Sequence, residues 1–281
     1  MTTPTATALV TGASSGIGSE TAAGLAQAGY TVVAAARRVD RLKALAASHP
    51  QIVPYQVDLS RPAEVERFCR AIAERPAPIE VLVNNAGYST RGVLEDVTLA
   101  DIRRLFEVNF FALIRVTQAC LPGMRRRRRG IVVNVSSIVG KFPFPGSGVY
   151  AASKYAVEGI TDALRIELAP LGIRVVAIRP GAIATEFSET AARMTGDVMA
   201  RTAEEYKPFY DRARKAMDDI FATRTAADPK LIADLVLEAV AAENPRAAYT
   251  AGPLSGEFIG KRAQLDDDGF LDFMLKRFGL V

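Results

Sequence analysis

The 281-residue chain predicts a doubly wound α/β fold, a mostly parallel seven-stranded sheet with helices on both faces. Two observations lead there. Short apolar, β-branched runs alternate with amphipathic stretches at a spacing that implies right-handed crossovers. The runs also lack strict polar–apolar alternation, as strands buried on both faces do.

In chain order, Ala8–Thr11 is the first strand, and Ile17–Ala28 has the apolar period of its crossover helix. Thr31–Ala35 and Ile52–Gln56 continue the sheet, followed by the amphipathic Pro62–Glu74. Val81–Asn84 then leads into a long helical pattern, Ala100–Met124, and Ile131–Val135 into another, Val149–Leu168. Arg174–Ile178 is the sixth strand; Pro229–Ala242 reads as a helix and Ala248–Thr250 as a last strand. No repeat, low-complexity tract or linker interrupts the series, so residues 1–281 are read as one domain. Two stretches break the rhythm. Residues 186–225 look helical, carry many charges and follow the sixth strand, where open α/β sheets bind ligands, so they are read as a substrate lid. The extension 252–281 places Phe270, Phe273, Met274 and Phe278 at helical spacing, read as packing.

Composition removes several function classes. An apolar content of 49% is ample for a core and excludes a disordered chain. Aromatics at 7% and the lack of Trp argue against a stacking platform for nucleic acid. The run Arg125–Arg129 is read as a helix C-terminus closed by Gly130, since no second basic stretch supports it. Cys69 and Cys120 have no metal-ligand spacing and read as buried thiols of a reducing compartment. His49, the only histidine, lies in the loop-like S-H-P-Q, so neither a Ser-His-Asp triad nor a zinc site is expected. The N-terminus lacks the pattern of a signal peptide, and no run of about 18 apolar residues occurs. The expectation is a cytoplasmic protein without a membrane span, a metal or a nucleic-acid partner.

After the first strand comes T-G-A-S-S-G-I-G, from Thr11 to Gly18, opening a helix. Gly12, Gly16 and Gly18 allow a tight turn and a close approach of phosphate to backbone, and the helix N-terminus supplies N–H groups for a pyrophosphate. The second strand runs into Ala36, Arg37 and Arg38, where an acidic residue would hold ribose hydroxyls. A carboxylate there repels a 2′-phosphate and a guanidinium forks onto it, so NADP(H) is favoured over NAD(H). Further on, V-Y-A-A-S-K-Y contains two tyrosines around Lys154. Tyr150 and Lys154 are i and i+4 and share one helix face, whereas Tyr155 is turned about 100° from Lys154 and is expected to pack.

T-G-A-S-S-G-I-G, N-N-A-G at Asn84–Gly87, Asn109, V-S-S at 135–137, Y-A-A-S-K at 150–154 and P-G-A-I-A-T at 180–185 occur in one order. Over about residues 7–185 the chain resembles the short-chain dehydrogenase/reductase family, a Rossmann-type fold, and most nearly its hydroxysteroid-dehydrogenase-like members. The resemblance implies Tyr150 as acid/base, its pKa lowered by Lys154 and the oxidised nicotinamide. Lys154 also holds the nicotinamide ribose, Ser137 bonds the substrate oxygen, and Asn109 holds a water on the proton path. It implies that Gly12, Ser14, Ser15, Gly16, Ile17, Gly18, Arg37, Arg38, Asp58, Asn85, Ala86 and Gly87 bind the cofactor, Asp58 at the adenine. Pro180, Gly181, Ile183 and Thr185 join them at the nicotinamide carboxamide. For Asp58, a helix N-cap is the other reading. The function implied is interconversion of a ketone and a secondary alcohol in a homodimer or homotetramer, paired through the helices of Asn109 and Tyr150. Phe142 and Phe144, in the loop after Ser137, fit a lipophilic substrate. An acyl-carrier ketoreductase is a second reading, though residues 186–225 and the tail depart from that shorter pattern. A cofactor-binding sensor without turnover is a third, and Ser137, Tyr150 and Lys154 together argue against it.

Overall fold

The computed structural model describes residues 6–187, 190, 191, 196, 198, 200–222 and 225–281. Its strands are β1 Thr7–Thr11, β2 Thr31–Ala36, β3 Ile52–Gln56, β4 Ile79–Asn84, β5 Gly130–Val135, β6 Ile173–Pro180 and β7 Ala248–Ala251. They form one sheet in the order β3-β2-β1-β4-β5-β6-β7, with every neighbouring pair parallel. The chain starts in the middle, winds outward to β3 and returns at β4 beside β1. That reversal opens a crevice between the carboxyl ends of β1 and β4, where doubly wound sheets bind ligands. All seven predicted strands appear, the fold class is the one the sequence predicts, and each strand differs from its predicted span by at most two residues at either end.

Both faces of the sheet are buried, which explains the missing alternation. Ala8 and Val10 join one cluster with Ala22 and Leu25 of α1 (Gly16–Gln27) and Ile232 and Val236 of α8 (Pro229–Ala241). Leu9, between them, faces the other cluster with Phe68 of α3 (Pro62–Ala73), Val116 and Met124 of α5 (Ala112–Arg127) and Leu164 of α6 (Gly148–Leu168). Two short helices were not foreseen. In α2 (Val39–Ser48) only Leu42 is buried, and α9 (Ser255–Gln264) carries two glycines, so neither shows a clear apolar period. The tail packs as expected. Helix α10 (Asp267–Arg277), preceded by α7 (Lys207–Ala222) among the lid residues, brings Phe270 and Phe278 into a cluster with Phe142 and Phe258.

Four expectations need correction. The long helix predicted over Ala100–Met124 is interrupted: α4 (Leu99–Phe106) and α5 are joined by a π-turn, Glu107–Phe111, which contains Asn109. Gly130 does not close the arginine-rich helix. The left-handed residue is Arg128 (φ 49), while Gly130 opens β5 because a Cβ there would lie 2.6 Å from Met124 Cγ. The arginines serve local structure: Arg127 and Arg129 pair with Glu80 at 3.3 and 3.7 Å, and Arg128 donates to Pro170 O at 2.6 Å. Tyr155 does not pack into the core; it is 44% exposed on the outer face of α6. Phe142 does not face a substrate cavity. It is fully buried and stacks on Phe258, with centroids 5.3 Å apart. Among the described residues no helix is long and apolar enough to cross a membrane.

Candidate active site

A cavity of about 770 Å³ opens at the carboxyl end of the sheet, within the range of small-molecule sites. The turn after β1 forms one end. Gly12 and Gly16 line it with φ of +68 and +54, leaving bare backbone toward the opening. A Cβ on Gly18, which lies beneath the lining, would sit 2.3 Å from Gly12 O and 2.5 Å from Asn85 Nδ2, so only glycine lets the turn close. Ser15, the N-cap of α1, makes no side-chain cap, and the first turn holds no acidic residue. The N–H groups of that turn therefore remain available to an anion. This bare cradle under an uncapped helix fits the pyrophosphate of a dinucleotide.

The adjoining turn is tied to the cradle by Asn85, whose Nδ2 donates to Thr11 O at 2.9 Å. Thr11 Oγ1 in turn accepts from the N–H groups of Asn85 and Ala86, each at 3.1 Å. Asn85, Ala86 and Gly87 then line the cavity, as do Ile17, Arg37, Arg38, Pro180, Gly181, Ile183 and Thr185. Asp58 does not. It accepts from Ser60 N–H at 2.9 Å and Ser60 Oγ at 2.7 Å, away from the lining, and the N-cap position of α3 falls to Arg61, whose side chain makes no cap. Burial raises its carboxyl, but the Ser60 hydrogen bonds and the charges of Arg37 and Arg61 outweigh that and hold it below its ordinary range. Ser14 also stands behind the lining, where its Oγ accepts from Arg38.

Ser137, Tyr150 and Lys154 line the other end of the cavity. Ser137 follows β5, and its Oγ accepts from Val139 N–H at 3.3 Å. One turn apart on α6, Tyr150 and Lys154 are both buried, and Lys154 Nζ lies 5.9 Å from the centre of the Tyr150 ring. Lys154 donates to Val135 O at 2.9 Å. Burial pushes the Tyr150 phenol up to about 12, against a hydrogen bond with Ser137 and the charge of Arg91. Burial also pushes the Lys154 ammonium down to about 8, with Glu158 opposing. Desolvation dominates, and the phenol stays protonated through the neutral range.

Asn109 lies behind this group, 1% exposed. Its Nδ2 donates to Tyr88 O at 2.9 Å and Ser153 Oγ at 3.1 Å, and its Oδ1 accepts from Tyr88 N–H at 3.0 Å. Both N–H donors are therefore occupied by protein, and only Oδ1 keeps capacity for a water. A Cβ on Gly87 would lie 3.2 Å from that oxygen and 3.6 Å from Lys154 Nζ, so the two polar groups face the same bare glycine. Asn109 lies within the π-turn, a departure from regular helix that is frequent at functional sites.

Among the lining residues that sequence reasoning missed, four bear on the site. Arg41 and Glu186 meet beside Arg38, and Phe187 packs on Tyr150 with centroids 5.6 Å apart. Arg91 is open to the cavity yet crowded by protein, and burial draws its guanidinium below the ordinary range. No motif marks any of them; each is placed by chain crossings.

Residues 6–196 match the family described as short chain dehydrogenase. The chain belongs to that family. It is accordingly an NAD(P)-dependent oxidoreductase with the family's sheet. Over 272 residues it is 30% identical to a 3-ketodihydrosphingosine reductase of Bacteroides thetaiotaomicron, covering 96% of each chain. Among solved structures it resembles a short-chain dehydrogenase from Streptomyces avermitilis at a TM-score of 0.78 and 31% identity, covering 98% of this chain and 93% of that one. A short-chain dehydrogenase from Sphingobium yanoikuyae in complex with NADPH aligns at a TM-score of 0.73 and 28% identity, covering 95% of both.

Proposed function

We propose that this short-chain dehydrogenase is an NADP(H)-dependent enzyme interconverting a ketone and a secondary alcohol, with Tyr150 as general acid/base. The observation that carries the reading is one cavity with Ser137, Tyr150 and Lys154 at one end and the glycine cradle with Arg37, Arg38 and Arg41 at the other. When bound, the reduced nicotinamide supplies a hydride to the carbonyl carbon. The chain's own part is the proton and the charge. Ser137 hydrogen-bonds the carbonyl oxygen, Tyr150 Oη delivers its proton to that oxygen, and Lys154 holds positive charge beside the phenolate left behind. A phenol kept protonated through neutral pH is the form that reduction requires. Pro180, Gly181, Ile183 and Thr185 complete the nicotinamide side, and Asp58 is left to a structural turn.

Phe144, Phe187, Met217 and Leu254 wall the cavity and support a lipophilic substrate, as does the name of the Bacteroides relative. Arg91 is the charged exception on that wall. Residues 1–281 then act as one unit with the lid after β6. Of that lid, residues 188, 189, 192–195, 197, 199, 223 and 224 lie outside the described residues. Phe111 at 50%, Tyr155 at 44% and Ile166 at 77% exposure, on the helices of Asn109 and Tyr150, support pairing of two copies through those helices.

The test is turnover of NADPH and NADH with a panel of neutral ketones from short to long chain. Reduction of the longer ketones with NADPH is the expected result. Binding of NADPH with no ketone turned over would favour the sensor reading. Arg37→Ala is expected to weaken NADPH by about 10- to 100-fold, the scale of a charge-assisted contact, and NADH by less than about twofold. Equal losses would remove the cofactor assignment.

A further inference from the structure

Beyond the glycine turn, Arg37, Arg38 and Arg41 line the cavity, and among its described lining residues Glu186 is the one carboxylate. Arg38 Nη1 donates to Glu186 Oε2 at 2.6 Å, and Arg41 Nη1 donates to Oε1 of the same group. The other N–H groups of Arg38 are directed at Ser14 Oγ, at 3.2 and 3.3 Å, and at Ser15 Oγ, at 2.8 Å. Two guanidiniums converging on one anion, one of them steadied by two serine hydroxyls, are the arrangement that binds a phosphate. Here the anion is a side chain 148 residues from Arg38 in sequence. Hydrogen bonds from Arg38 and Arg41 hold its carboxyl below the usual carboxylate range, so it is ionised at neutral pH.

We infer that Glu186 is an internal competitor for the 2′-phosphate of NADP(H): its carboxylate occupies the fork of Arg38 and Arg41, and the phosphate displaces it. The inference rests on the NADP(H) reading above. NAD(H), which has no 2′-phosphate, leaves the carboxylate in place. NADP(H) replaces one anion by another, and its affinity reflects the difference between them. Glu186 thereby sets cofactor selectivity from outside the cradle that binds the rest of the molecule. Its neighbour Phe187 packs on Tyr150, so the phosphate site and the proton donor share one short segment after Thr185. Arg38, Arg41 and Glu186 are partly exposed, at 42%, 49% and 39%. Solvent screens such pairs, so the effect is a modest one.

The probes are adenosine 2′,5′-bisphosphate and 5′-AMP, which differ by the 2′-phosphate alone. Their binding to the wild-type chain and to Glu186→Gln is measured by titration calorimetry, without turnover. Wild type is expected to prefer the bisphosphate. Glu186→Gln is expected to tighten the bisphosphate about three- to tenfold and to leave AMP within about twofold. If wild type prefers the bisphosphate and Glu186→Gln leaves it unchanged or weakened, the competitor is wrong and the NADP(H) reading stands. A preference that appears only in Glu186→Gln supports the competitor and removes the NADP(H) reading for the native chain. No preference in either protein removes both. Unchanged AMP affinity and an unchanged melting curve establish that the variant is folded.

Discussion

Tyr150→Phe is expected to lower kcat for ketone reduction by about 100- to 10,000-fold, the contribution of a positioned general acid. That is about 2.7–5.4 kcal/mol of barrier. Affinity for NADPH is expected to stay within about twofold. The variant removes one oxygen. The ring that packs on Phe187 at 5.6 Å and lies 5.9 Å from Lys154 Nζ is retained, so the fold and the neighbouring ammonium stay in place. The assignment depends on the phenol being a donor and not a wall. Burial holds it up to about 12, which keeps the proton available until a substrate oxygen takes it. Ser137 lines the same end of the cavity as the phenol, and a substrate oxygen between the two hydroxyls receives both bonds. The measurement is steady-state reduction of the best ketone of the panel, with cofactor affinity determined separately. Retention of more than about a third of wild-type kcat would leave another group as the proton donor.

The sheet was legible because burial on both faces imposes one demand, a run of apolar β-branched residues between breaks, and strands such as β5 meet it at Ile131–Val133 and Val135, with Asn134 the buried polar exception. The paired groups of the site were legible where they lie on one element. Tyr150 and Lys154 are a helix turn apart, and Gly12 to Gly18 form a single turn. What depends on two distant segments meeting was not. Glu186 reaches Arg38 and Arg41 across the cavity mouth, and neither end carries a pattern that names the other. The π-turn at Asn109 is a backbone event with no side-chain signature; Glu107–Phe111 continues the apolar period of a plain helix. Arg128 was misread because a glycine two residues later is the usual cap. In this chain Gly130 is required by the thioether of Met124, and the left-handed turn falls to an arginine anchored on Pro170. Tyr155 shows the same limit: an aromatic beside a buried lysine reads as core until the outer face of α6 is seen.

Glu158→Gln is expected to cost about 3 kcal/mol of stability, at the low end for breaking a buried ion pair, and to move the pH dependence of reduction. Glu158 is one turn beyond Lys154 on α6, with its side chain 5% exposed. Arg179 of β6 donates to it in a fork, Nη2 to Oε2 at 2.6 Å and Nε to Oε1 at 3.0 Å, and Lys141 Nζ stands 3.7 Å from Oε2. This carboxylate opposes the burial that pushes Lys154 down to about 8. The sign follows. A buried ammonium depressed from 10.5 to about 8 binds fewer protons than in the unfolded chain between those values, so its own contribution to stability rises with pH across that window. Reduction, which needs Lys154 charged, falls as pH rises through about 8. Removing the Glu158 charge lets burial lower Lys154 further, and the alkaline limb of kcat/KM moves to lower pH. Arg179→Gln breaks the same pair and destabilises comparably, but it leaves Glu158 paired only with Lys141, which favours the Lys154 ammonium and moves the limb to higher pH. Urea denaturation at pH 7 reads the stability, and kcat/KM from pH 6 to 10 reads the limb. Packing alone predicts two destabilised proteins with one unchanged profile; opposite displacements in the two variants assign Glu158 as the group that keeps Lys154 charged.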